Sequence, residues 1–173
     1  MEEGGVVLLG FWSSPYVMRV KIALEEKGIQ FLYKEEENII LGKSPLLLLA
    51  NPIYKKVPVL IHNGRRRWAS KGEDQEDAKQ EFLKSLKLLE EELGDKPYFG
   101  GDQFGLLDIA LIPFSCRFHT YEMYCKFSVE KSCPKLMKWV NKCNERKSVA
   151  KALPNPYRVY DFVMEVKKML GIE

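Results

Sequence analysis

The stretch Phe11-Trp12-Ser13-Ser14-Pro15-Tyr16-Val17-Met18-Arg19-Val20-Lys21-Ile22-Ala23-Leu24 decides how this chain is read, because it sets a hydroxyl at the junction of a strand and a helix. Ahead of it, Val6-Val7-Leu8-Leu9-Gly10-Phe11-Trp12 is apolar and partly β-branched, the pattern of a strand buried on both faces. Pro15 suits the first helical position and Ser14 the N-cap before it. Val17, Val20, Ile22, Ala23 and Leu24 then give the helix a mostly buried face, and Gly28 ends it. The unpaired N–H groups and the positive end of the helix dipole point toward whatever Ser14 faces, which suits a small anion or a thiolate. Ser14 is therefore open to two readings, a helix cap alone or a cap that also meets a ligand.

The next informative segment is Asn51-Pro52-Ile53-Tyr54-Lys55-Lys56-Val57-Pro58-Val59-Leu60-Ile61-His62-Asn63-Gly64. A proline opens a strand there, and the Asn-Gly pair predicts a tight hairpin whose register allows Arg65 to Trp68 to continue as a further strand. Pro58 is a candidate for a cis peptide, which would expose the backbone of the residue before it.

Together these segments resemble the N-terminal, thioredoxin-like half of a glutathione S-transferase, most closely the plant tau class. The resemblance runs over nearly the whole chain. Residues 71–76, Leu93 to Asp102, Phe104 to Leu111 and Cys133 to Trp139 are similar to the helical domain of that class. It implies an incomplete α/β thioredoxin-like domain over residues 1–69, lacking its third helix, and an all-α glutathione-transferase domain over residues 70–173. It also implies roles. Ser14 corresponds to the serine that donates a hydrogen bond to the glutathione sulfur, and Lys43, in Gly42-Lys43-Ser44-Pro45, to the lysine that holds the glycyl end. Lys56, Val57 and Pro58 correspond to the segment that holds the cysteinyl part and the carboxylate.

One motif departs from the pattern. Tau enzymes resemble one another in a Glu-Ser pair after the hairpin, which holds the γ-glutamyl end of glutathione. Here Gly64 runs into Arg65-Arg66-Arg67-Trp68-Ala69-Ser70-Lys71-Gly72, similar to the end of a later helix in the family. Against the usual family length the chain lacks roughly fifty residues at this join, so its size is low for two packed domains. The third helix and most of the fourth fall in that gap. By count, Ser70 stands at the family's serine and Ala69 at its glutamate. Ser70 with Glu73 is also a capping box for a helix carrying Phe82, Leu86, Leu89 and Leu93. Alanine cannot pair with the glutamyl ammonium, a loss of about 1.5–3 kcal/mol for one charge-assisted hydrogen bond.

Composition excludes several classes. Hydrophobic residues make up 46% of the chain and no run is long enough to cross a bilayer. Met1-Glu2-Glu3-Gly4-Gly5 lacks the basic and apolar regions of a signal peptide, so a cytosolic location is the expectation. Basic residues number 27 against 24 acidic, a formal charge of +3, which argues against nucleic-acid binding. Arg65-Arg66-Arg67 reads as a solvated turn or strand end. Cys116, Cys125, Cys133 and Cys143 form no Cys-x-x-Cys pair, and no histidine cluster joins them, so free thiols are expected and no metal site.

In the helical half, Phe104 at N′, Gly105 as N-cap, Asp108 at N3 and Ile109 at N4 make a hydrophobic staple. Asp108 reads as structural and not as a catalytic carboxylate. The amphipathic run Val159, Tyr160, Phe162, Val163, Val166, Met169, Leu170 packs either on the helical core or over a substrate site. His62 and His119 have no triad-like context.

The resemblance implies conjugation of the glutathione thiolate, with glutathione as co-substrate, to hydrophobic electrophiles in a pocket walled by Trp12, Phe118 and Tyr121. An aromatic stripe at helical spacing is also ordinary core. A homodimer is implied as well, although the missing helices form much of that interface. The loss after Gly64 leaves a second reading open, a non-catalytic ligandin-like binding protein or truncated remnant.

Overall fold

The computed structural model of the chain describes residues 6–37, 42–50, 56–58, 73–169 and 171. Two compact units result, Met1–Arg65 and Arg66–Glu173. The hairpin at Asn63-Gly64, the strand continuing over Arg65 to Trp68, and Ala69 and Ser70 lie outside the described residues.

In the first unit, strand β1 (Val6–Gly10) runs parallel to β2 (Phe31–Glu35), with Val6 opposite Phe31 and Gly10 opposite Glu35. Helix α1 (Pro15–Glu26) makes the crossover that parallel strands require. Pro15, Val17, Met18 and Ile22 are its buried residues, Met18 and Ile22 lying one helical turn apart, and Leu8 and Leu9 are buried on β1. A short helix α2 (Pro45–Ala50) follows β2.

Two expectations about β1 are corrected. The strand ends at Gly10 and not at Trp12, because the Trp12 amide donates to the Glu35 carboxylate and Ser14 N–H turns back to Phe11 C=O, at 2.8 and 3.0 Å. It is buried only in its second half, since Val6 and Val7 are exposed.

Helix α1 stops as its sequence requires. Gly28 adopts φ +65°, its N–H donates to Glu25 C=O, and Ile29 N–H reaches Leu24 C=O. These two bonds close the helix in a Schellman motif, which favours glycine at the left-handed position.

The described elements of the second unit are helices, apart from an isolated antiparallel bridge between Tyr98 and Gly101. The unit comprises α3 (Glu73–Leu93), α4 (Leu106–Leu111), a 3₁₀ turn (Ile112–Arg117), α5 (Phe118–Cys125), α6 (Val129–Ser132), α7 (Pro134–Asn144), α8 (Lys147–Ala152) and α9 (Pro156–Met169). The chain from Gly105 is not one continuous helix. Pro113 has no N–H to return to Ile109 and its ring crowds that carbonyl, so the backbone tightens to 3₁₀ before α5 resumes.

Carboxylates fix the helix starts. Asp108 Oδ2 accepts from Gly105 N–H at 2.8 Å, the N-cap contact expected of N3. Glu90 on α3 accepts from Lys135 and Leu136 N–H at 2.6 and 3.1 Å, which satisfies two free donors of α7 behind Pro134. Glu122 does the same for α6 through Val129 N–H at 2.7 Å. Helix α9 packs back on α5, the first of the two placements open to it: His119 lies 4.6 Å from the Tyr157 ring and 5.7 Å from Tyr160. Lys167 sits over the Tyr124 ring at 3.8 Å. No helix among the described residues is long and apolar enough to cross a membrane.

Candidate active site

Ser14 caps α1 with extended backbone, φ −86° and ψ 115°, and Pro15 at the first helical position. Its hydroxyl accepts from Val17 N–H over 3.5 Å, a long and weak bond. That contact uses a lone pair and leaves the proton. Among the described residues no acceptor takes the Ser14 proton, and the side chain is half-buried. A capping hydroxyl of this kind remains a donor toward a ligand, so the two sequence readings of Ser14 are compatible.

Glu35 holds the loop that presents Ser14. One carboxylate oxygen accepts the Trp12 amide at 2.8 Å and the other accepts the Tyr33 hydroxyl at 2.6 Å. Lys21 Nζ stands 3.4 Å from the Tyr33 ring centroid. Burial raises the Tyr33 phenol well above its ordinary range, and the bond to Glu35 and its charge add to the rise. Burial lowers Lys21, against the pull of Glu35.

Glu36 does related work one residue on. Its N–H donates to Gly10 C=O at 2.7 Å, and its carboxylate accepts both Ser44 N–H and the Ser44 hydroxyl at 2.6 Å. Ser44 in turn caps α2, its Oγ accepting Leu47 N–H at 3.1 Å. The ends of β1 and β2 and the start of α2 are thereby tied at one edge. Trp12, Ser14 and Lys43 all lie on chain leaving or reaching that carboxyl edge, where open parallel sheets bind ligands. Lys43 is exposed.

Lys56 is exposed and Val57 and Pro58 are half-buried, with the Val57–Pro58 peptide cis. Ser70 lies outside the described residues. Phe118 and Tyr121 belong to the second unit, where both pack edge-on against Phe82, at 6.2 and 5.1 Å, with Phe127 as a third partner at 6.2 Å. Phe118 is buried and serves the helical core; Tyr121 is half-buried. No group of three or more potential metal-ligating His, Cys, Asp or Glu occurs among the described residues.

Glu35 and Glu36 were not singled out in the sequence. The signal was present: an acidic run, Glu35-Glu36-Glu37, placed where a parallel strand ends and followed at Ser44-Pro45 by a helix-start pair. A charge run ordinarily reads as solvated surface, which conceals its one buried member, Glu36.

Comparison with known proteins agrees with this architecture. The family described as glutathione S-transferase, C-terminal domain, matches residues 23–147. The chain is 42% identical to the probable glutathione S-transferase parA of Nicotiana tabacum, over 99% of this chain and the whole of that protein. It is 44% identical to glutathione S-transferase U19 of Arabidopsis thaliana, over 94% and 96% of the two chains. The parA alignment runs 221 positions against a chain of 173 residues, so this chain lacks a substantial part of what the relative has. Among solved structures, rice GST1 in complex with glutathione superposes with a TM-score of 0.84 at 34% identity, covering 98% of this chain and 99% of that one. The mango (Mangifera indica) tau-class enzyme gives 0.79 at 28% identity, covering 92% and 97%. The chain belongs to the glutathione S-transferase family of enzymes. Within that family it falls with the plant tau class.

Proposed function

We propose that the chain transfers the glutathione thiolate to hydrophobic electrophiles in the cytosol, with Ser14 as the hydrogen-bond donor to sulfur. The observation that carries this reading is the Ser14 hydroxyl, set at the start of α1 on the carboxyl edge of β1 with its proton unclaimed among the described residues. A free thiol has a pKa of about 8.5 and is only a few per cent ionised at pH 7. A hydroxyl donor together with the helix N-terminus favours the anion, and a depression of about two units corresponds to about 2.7 kcal/mol. Serine acts here as a donor and not as a nucleophile, since among the described residues no base accepts its proton. Proximity of sulfur and electrophile in an apolar pocket supplies further rate. Lys43 would hold the glycyl carboxylate, and Lys56, Val57 and Pro58 the cysteinyl portion.

Ala69 favours a second reading. Without a carboxylate there, the γ-glutamyl ammonium loses a partner, and the chain would serve as a non-catalytic binder of hydrophobic ligands. Calorimetric titration with glutathione followed by a conjugation assay tests both. Binding at millimolar concentration or tighter, with turnover that Ser14→Ala abolishes, supports the transferase. Absence of binding supports the second reading.

A further inference from the structure

We propose that Glu36 is a positioning residue that sets Lys43 for the glycyl carboxylate of glutathione; this rests on the transferase reading above. Glu36 is 1% exposed, which is unusual for a carboxylate. Burying it is costly unless its oxygens are hydrogen-bonded, and both are directed to a single residue, Ser44, through its N–H and its hydroxyl. Ser44 follows Lys43 directly, so the plane of the Lys43–Ser44 peptide is fixed by that N–H bond. The hydroxyl bond fixes Ser44 itself as the cap of α2. The Lys43 side chain is long and exposed, and a fixed Cα reduces the ordering its ammonium must undergo when it meets a carboxylate.

The other end of Glu36 has a separate duty. Its backbone N–H holds Gly10 C=O, a bond that any side-chain substitution except proline retains. The side chain therefore acts on the Lys43 end, while the strand end that leads to Ser14 is held by main chain. This division separates positioning from general stabilisation, because it predicts a defect in glutathione binding without one in thiol activation.

The test uses the full chain. Glu36→Ala is expected to raise the glutathione KM roughly tenfold, with kcat at saturating glutathione and the thiol pKa from the pH–rate profile unchanged. Glu36→Gln restores much of the loss, since an amide can accept from Ser44 N–H and donate to Ser44 Oγ. In a Lys43→Ala background the Glu36→Ala effect should vanish, as two residues acting through one contact are not additive. An unchanged KM, a loss of kcat equal to the rise in KM, or full additivity with Lys43→Ala overturns the proposal while leaving the transferase reading intact. Failure of the unmodified protein to bind glutathione overturns both. If Glu36→Ala does not fold, Ser44→Ala removes the hydroxyl contact from the half-buried side, and a severalfold rise in KM alone is expected; no rise overturns the proposal.

Discussion

Trp139 Nε1 donates to Asp108 Oδ1 at 2.8 Å, joining the middle of α7 to the first turn of α4. The same oxygen accepts Phe99 N–H at 3.0 Å while Oδ2 accepts Gly105 N–H, and the Phe99 and Trp139 rings meet edge-on at 5.1 Å. Three donors converge on a carboxylate with no solvent exposure. Asp108→Asn keeps the shape but turns an amide NH₂ against one of those donors. A loss of about 2–4 kcal/mol is expected, read as a lower denaturation midpoint with Trp139 fluorescence as the probe. Thiol activation, measured by the pH–rate profile of the folded fraction, should be unaffected.

At Gly10 the strand β1 approaches α1 closely. A Cβ added there would stand 2.5 Å from Val17 Cγ1 and 2.8 Å from Tyr33 Cε2. Val17 is buried and β-branched, so it has little room to yield. Gly10→Ala should destabilise the first unit by about 1–3 kcal/mol, measured by denaturation.

Much of this was legible before the structure because it is local. The cap and stop of α1 and the Asp108 contact with Gly105 each depend on residues a few positions apart. What escaped the sequence is long-range. Glu90 capping α7 from 45 residues away, and Glu36 closing on Ser44, require knowing which elements meet. The half-exposure of β1 also depends on which neighbours cover it, and the length of an apolar run does not report that. Near the proposed site, the place of Ser14 as the cap of α1 was legible because the Ser-Pro helix start is a local pattern.

The cysteines give a pH test. Burial raises Cys116 to about 11, and burial together with the Asp108 charge raises Cys143 to about 12, from an ordinary value of 9.0. Burial raises Cys133 as well. Well below pH 9 both folded and unfolded thiols are protonated and contribute nothing to pH dependence. Above it the unfolded chain loses protons that the folded chain keeps, so stability falls as pH rises from about 9 toward 12. Burial of Tyr33 acts in the same direction at the alkaline end. Denaturation midpoints across that range should decline. Thiol labelling of the native protein at pH 8 should modify half-exposed Cys125 first, and the other three only on unfolding.

The decisive substitution at the site is Ser14→Ala. Its structural cost is small, about 0.5 kcal/mol, because the cap contact to Val17 N–H is already 3.5 Å long. Its catalytic cost is large if the hydroxyl donates to sulfur, since removing one aimed donor from a developing or bound anion lowers rate by about a hundred- to a thousandfold. Glutathione affinity should change little at low pH, where the bound thiol is neutral, and the apparent thiol pKa should return toward about 8.5. The pH–rate profile of the variant therefore separates the two duties of Ser14. A rate loss that raising the pH largely restores identifies a lost stabiliser of the thiolate. A proportional loss at every pH, accompanied by a fallen midpoint of unfolding, would instead assign Ser14 to helix capping alone.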